Sequence, residues 1–219
     1  MILPTTFYKQ DTITLAQSLL GCFLVSKSKE GLCVGRIVET EAYLSENDPA
    51  CHAHRGKTDR NEAMFGAAGT AYVYQIYGMH LCFNVVSGAQ GLGEAVLIRA
   101  LEPWRGIPLM ERRRNAARLA RAHNTGRHLA TRELCRGPAK LTTALGISLA
   151  HNQTNLRTGP ISLHAGTSFP RKRPDEGSSS ILSSPRIGIS KAEDLPLRFY
   201  FAQNRFVSGP SRSTAFSPK

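Results

Sequence analysis

The five cysteines of this chain, Cys22, Cys33, Cys51, Cys82 and Cys135, are odd in number and include no C-x-x-C pair. That excludes a disulfide framework, a zinc ribbon or an iron–sulfur cluster at the usual spacings, and leaves reduced, structural thiols as the expectation. Long apolar runs are also missing. The best candidate, Ile13 to Val25, is interrupted by Gln17, Ser18 and Gly21, short of the roughly 18 residues that a membrane span needs. Met1 to Thr12 carries no basic leader followed by an apolar stretch, so the expectation is an intracellular protein with no membrane partner, in the cytoplasm or nucleoid if bacterial. Three ligand motifs are lacking as well. There is no phosphate loop, Gly91-Leu92-Gly93 has neither the third glycine nor the following helix of a dinucleotide site, and the H-x-E and P-C-x-x-C pattern of zinc base deaminases is absent. Cys51, His52 and His54 have no fourth ligand at a helpful spacing. No metal or cofactor is therefore expected.

Acidic residues are scarce. Sixteen Asp and Glu stand against 28 Lys and Arg, a net charge of +12, which points to a polyanionic partner. The charge is clustered, because Arg105 to Arg136 holds nine arginines against Glu111 and Glu133, +7 of that total. A charge run is more often a solvated helix face than a contact surface, and the run alone does not decide between them.

With 219 residues, 41% hydrophobic and 20% charged, the chain suits one folded domain with a substantial core. Asp11 ahead of Leu15, Leu19 and Leu20, stopped by Gly21, predicts a capped helix. Cys22 to Ser26 reads as a strand, and a turn at Lys29 to Gly31 leads into Leu32 to Tyr43. Alternation there sets Glu39, Glu41 and Tyr43 on one face and Val38 and Thr40 on the other. Leu44 to Gly69 reads as a long loop, a place where function concentrates. Thr70 to Tyr77, His80 to Val86 and Glu94 to Leu101 form an antiparallel meander, with Leu97, Arg99 and Leu101 on one face. Gly137 and Pro138 open a short helix that Gly146 ends. Arg186 to Ser190 and Leu197 to Ala202 read as strands returning to the sheet. The fold class is α+β: a single mixed domain over residues 1 to 207, a curved antiparallel sheet built of hairpins with surrounding helices. A mobile loop is expected at about 165 to 185, and a frayed tail at 208 to 219.

Four of the six tyrosines, Tyr43, Tyr72, Tyr74 and Tyr77, fall close together in sequence with Glu39, Glu41, His52 and His54. Sheet packing explains such tyrosines about as well as a ligand site does. Set beside the basic charge, however, aromatic faces stack on unpaired bases while Arg and Lys hold phosphates. Glu41 is the acid of most interest, since hydrolysis at a sugar carbon needs a carboxylate to activate water. Spacing does not separate it from Glu39. The rival reading is a basic domain that binds DNA or RNA without catalysis.

The runs Arg36-Ile37-Val38-Glu39-Thr40-Glu41-Ala42-Tyr43, Asp48 to His52, Arg60-Asn61, Met64-Phe65, Tyr72-Val73-Tyr74, Ile76-Tyr77-Gly78-Met79, Asn84-Val85, Leu97 to Pro103, Arg132 to Cys135 and Gly137 to Leu141 together resemble the alkyladenine type of DNA-3-methyladenine glycosylase. The likeness extends in order from about Leu15 to Phe201. It implies a monofunctional, cofactor-free hydrolase of N-glycosyl bonds, of the DNA-3-methyladenine glycosylase II type. Such an enzyme flips alkylated purines out of damaged double-stranded DNA in base excision repair, acting as a monomer. By the same resemblance Glu41 is the general base and Arg99 helps hold its water or the adjacent backbone. Tyr43, Ala50, His52, Tyr74, Asn84 and Leu97 form the base pocket, and Asn84 discourages ordinary guanine. Tyr77 is the wedge entering the minor groove, and Met79 and Lys140 contact DNA. His54, Asp59 and Ala67-Ala68 depart from the family pattern without touching these positions.

Overall fold

The computed structural model describes residues 1–120, 129–169 and 180–209. Two short helices open the chain, α1 (Thr5–Tyr8) and α2 (Thr12–Ser18). The Asp11 side chain accepts the Thr14 N–H at 2.9 Å, so α2 starts at the expected cap. Strands β1 (Phe23–Ser28) and β2 (Gly31–Tyr43) make the anticipated hairpin. Next come β3 (Ala71–Ile76), β4 (His80–Val86) and β5 (Ala95–Arg105), paired antiparallel in sequence order as the meander requires. Helices α3 (Ile107–Leu119) and α4 (Pro138–Leu145) follow, the second bounded by Gly137 and by Gly146 at a φ of 67°. Three short strands close the described chain: β6 (Ile161–His164), β7 (Ile181–Ser184) and β8 (Arg198–Phe201).

All eight strands join one antiparallel sheet in the order β3-β4-β5-β2-β1-β6, with β8 paired to both β2 and β7. The fold is the expected α+β class, a single domain on an unclosed sheet. Strand β2 is its axis. One edge pairs with β5 from Val34 to Tyr43, while the other is shared by β1 near the start and β8 at Glu39 to Glu41. Helix α2 covers one side of this centre, where Thr40 Oγ1 donates to the Ala16 carbonyl at 2.8 Å. The face carrying Glu39 and Glu41 is buried too, so both sides of the strand are enclosed.

One element differs from the sequence reading. Arg186 to Ser190 is not a strand; the return strand is β7, just before it, inside the Ser-rich stretch. Residues 186 to 190 look like a strand by alternation, but the Arg186 side chain and the Ile187 backbone serve distant partners rather than a neighbouring strand. Within the 165 to 185 segment the structure holds a 3₁₀ turn at Gly166–Ser168 as well as β7, and residues 170 to 179 lie outside those described. Of the terminal segment, Ser208 is 5% exposed, and residues 210 to 219 lie outside those described. So do residues 121 to 128 of the Arg-rich stretch.

Candidate active site

Strand β2 carries register shifts between Ile37 and Glu39 and between Glu39 and Thr40, the kind of bulge that re-aims side chains in a sheet. Glu39, within it, and Glu41, just after it, are both 0% exposed. Arg99 of β5 reaches both, with Nε 3.3 Å from Glu39 Oε1 and Nη1 3.1 Å from Glu41 Oε1. A buried guanidinium needs such partners.

The two acids differ in what else they meet. Glu39 is enclosed: Oε1 also takes Arg198 Nε at 2.6 Å, and Oε2 takes the Ser208 N–H at 2.6 Å. Glu41 Oε1 accepts the Ile187 N–H at 2.8 Å, and Oε2 accepts the Tyr43 hydroxyl at 2.9 Å. Every one of these neighbours donates, and Oε2 keeps a lone pair for a further donor such as water.

Tyr43 joins this acid to a pocket. The pocket encloses about 250 Å³, open space at its mouth included, and is lined by Tyr43, Ala50, His52, Met64, Tyr72, Tyr74, Asn84 and Ala95. Loop 44 to 69 contributes Ala50, His52 and Met64 to it. Asn61 braces that loop by donating to the carbonyls of His52 and Gly56 at 2.8 and 3.0 Å. Inside, the His52 and Tyr74 rings lie 4.6 Å apart at 70°, and Tyr72 and Tyr74 lie 5.1 Å apart at 30°. His52 Nδ1 bonds the Tyr72 hydroxyl at 2.9 Å, leaving Nε2 for a ligand. The Ala50 N–H is taken by Asp48 Oδ1 at 3.2 Å, so its carbonyl is what it offers. Asn84 Nδ2 donates to the Tyr72 carbonyl at 3.0 Å.

Burial sets the protonation of these walls. It pushes the phenols of Tyr43 and Tyr74 well above their ordinary range, and the Glu41 charge adds to the rise for Tyr43. His52 goes the other way: burial first, then the Arg60 charge, lower it below 6.5. Near neutral pH the pocket therefore presents neutral phenols and a neutral imidazole.

Tyr77 and Gly78 form the β3–β4 turn, with φ values of 49° and 68°, closed by the Met79 N–H to the Ile76 carbonyl at 3.2 Å. Both central residues have the positive φ of a type I′ turn, where a bulky aromatic is an outlier. Tyr77 is 83% exposed and Met79 59%, so no packing accounts for the outlier. Two of the remaining anticipated residues stand apart from the pocket. Leu97 is 3% exposed, paired opposite Glu41 and Asn84, and does not line the cavity. Lys140 on α4 holds Glu133 Oε2 at 2.8 Å. Glu41 itself sits behind Tyr43 rather than in the lining.

Sequence reading missed Arg186, Ile187, Arg198 and Ser208, which complete the surroundings of the two acids from more than a hundred residues away. It also passed over the buried Asp48 as a charge partner. No local signal marks such pairings, apart from an Arg set in an otherwise apolar run. All five cysteines are free and buried, and among the described residues no three His, Cys, Asp or Glu side chains gather as metal ligands. No helix of the described residues is long and apolar enough to cross a membrane.

An enclosed carboxylate thus stands one hydroxyl behind a pocket walled by aromatic rings, on a strongly basic chain. Comparison with known proteins gives the family. Residues 6–205 match the family model for methylpurine-DNA glycosylase. A protein of Methanoculleus marisnigri is 50% identical over 208 residues, covering 95% of this chain and 99% of its own. One from Carboxydothermus hydrogenoformans is 49% identical over 208 residues with the same coverage. A third, from Chlorobium phaeobacteroides, is 43% identical over 210 residues, covering 95% and 96%. Each of the three is named, by inference, a 3-methyladenine DNA glycosylase. The chain belongs to the methylpurine-DNA glycosylase family, and it is a DNA glycosylase, a hydrolase of DNA repair.

Proposed function

We propose that the protein acts as a monomer on damaged double-stranded DNA, turns alkylated purines such as 3-methyladenine and 7-methylguanine out of the helix, and hydrolyses their N-glycosidic bond. The products are a free base and an abasic site, with the strand left intact, as for a type II 3-methyladenine glycosylase. The observation that carries this reading is the Tyr43 bridge: one side chain walls the aromatic pocket with its ring and bonds Glu41 Oε2 with its hydroxyl at 2.9 Å.

A base within a duplex is out of reach, so it must be extruded at a cost of a few kcal/mol that is smaller for damaged pairs. Tyr77, exposed at the turn, is suited to enter the vacated space, as aromatic and apolar wedges do elsewhere. Purines methylated at N3 or N7 are cationic. They gain from stacking on the electron-rich faces of Tyr43 and Tyr74, and the neutral His52 adds no repulsion. The cationic base is already a good leaving group, so the chemistry needs no cofactor. As the bond breaks, positive charge grows on the sugar. Glu41 offsets that charge and takes the proton of the attacking water, while Arg99 fixes its position. The nearby Asn84 amide disfavours the exocyclic amine of ordinary guanine. A purely binding role has no use for this arrangement of acid and pocket.

The test is a base-release assay over duplexes that each carry one lesion. Release of free 3-methyladenine and 7-methylguanine with an alkali-labile but uncut strand is expected. Absence of release from every alkylated purine, with duplex binding retained, would overturn the reading.

A further inference from the structure

Arg186 and Asp48 form a buried pair beside the acid and the pocket, each with a side chain 0% exposed. The contact is two-pronged, Nη1 to Oδ2 and Nη2 to Oδ1, both at 2.6 Å. Arg186 Nη1 also donates to the Ala42 carbonyl at 2.9 Å, and its Cζ lies 4.6 Å from the Tyr43 ring centre. Asp48 in turn accepts the N–H groups of Leu44 at 3.0 Å and Ala50 at 3.2 Å. One residue along from Arg186, the Ile187 peptide grips the acid centre from both ends. Its N–H reaches Glu41 at 2.8 Å, and its carbonyl accepts Arg99 Nη1 at 3.4 Å.

A buried ion pair is weak ground for stability, since desolvation offsets the attraction. This one also leaves Arg186 Nε buried without a partner, a cost that a purely structural pair has no reason to carry. Its placement suggests another use. The pair clamps segment 186 to 187 onto the strand bearing Glu41 and onto the loop bearing Ala50. A small error in where an acid or a ring sits is enough to slow catalysis strongly.

We propose that Arg186, held by Asp48, is a positioning residue that sets the Ile187 peptide against Glu41 and Arg99 and aligns the Tyr43 and Ala50 walls with them. It does not touch the base. This inference rests on the reading of Glu41 as the general base.

The experiment uses full-length wild type, Arg186→Lys, Asp48→Asn and Glu41→Gln. Each is measured for single-turnover release of 7-methylguanine, for affinity to a duplex with an abasic-site analogue, and for thermal unfolding. Lysine keeps the charge but loses the fork, and asparagine keeps the volume, so at least one of the two supplies a folded test. Arg186→Lys or Asp48→Asn is expected to slow release about 10- to 100-fold, with affinity within about threefold of wild type. Because Arg186 acts on the chemical step, the loss should fall on the single-turnover rate and leave affinity behind. A wild-type rate in the folded Arg186→Lys and Asp48→Asn proteins, beside an inactive Glu41→Gln, would overturn this proposal and leave the general base standing. Affinity falling in step with the rate would also overturn it, since a general structural defect weakens both. An active Glu41→Gln would instead remove the reading beneath it.

Discussion

Tyr77 combines 83% exposure with a φ of 49°, so its side chain gains nothing from packing while its backbone sits where bulky residues are disfavoured by about 1–2 kcal/mol. Strain of this kind is retained where function needs it. Asparagine tolerates that conformation better. Tyr77→Asn is accordingly expected to unfold at an equal or slightly higher temperature than wild type and to release 3-methyladenine more slowly; a fast, equally stable variant would remove the wedge assignment. His52 gives a second test at this scale. Its folded value lies below 6.5, so between the two values the unfolded chain binds the proton more readily. The stability tied to His52 is then intact above about pH 6.5, declines as pH falls towards the folded value and levels off below it. Denaturant titrations from pH 5 to 8 should show a smaller acid-side loss in His52→Gln than in wild type, and equal slopes would contradict the buried, neutral imidazole.

Among the elements, the junction between β5 and α3 leaves little room for a side chain. Gly106 has a φ of 78°, and a Cβ there would run into the Leu32 carbonyl oxygen of the neighbouring strand. Gly106→Ala should therefore cost about 2 kcal/mol or more, from backbone strain and overpacking together, read as a lower denaturant midpoint at unchanged slope. The elements that were legible in the sequence are those specified locally. Asp11 capping α2, Pro138 and Gly146 bounding α4, and the β3-β4-β5 hairpins each depend on residues a few positions apart. Arg186 to Ser190 misled because alternation records which residues are apolar, not where their backbone bonds go. The Ile187 N–H serves Glu41, 146 residues earlier. Glu39 and Glu41 were inseparable by spacing for the same reason: only Arg198 and Ser208, supplied from the far end of the chain, make Glu39 the fully occupied acid. The pocket tyrosines were visible as a cluster, but Tyr72, Met64 and Ala95 joined the lining through sheet register and loop packing that no single segment reveals.

At the scale of the whole molecule, a net charge of +12 predicts duplex binding that weakens linearly in log–log terms with salt, by about 0.9 per phosphate contacted. Not all of that charge is equally available. Glu133 holds Lys140 at 2.8 Å and Arg136 at 3.4 Å, so Lys140 must exchange this partner for a phosphate if it contacts DNA. Glu133→Gln should then tighten duplex binding and steepen the salt dependence, measured by fluorescence anisotropy. Unchanged affinity and slope would remove Lys140 from the contact surface.

The proposed role of Glu41 in activating water is decided by single-turnover release of 3-methyladenine from methylated duplex DNA by Glu41→Gln beside wild type. The predicted result is no release above the spontaneous rate, with affinity for an abasic-site duplex preserved. Undiminished release by the folded variant would contradict it.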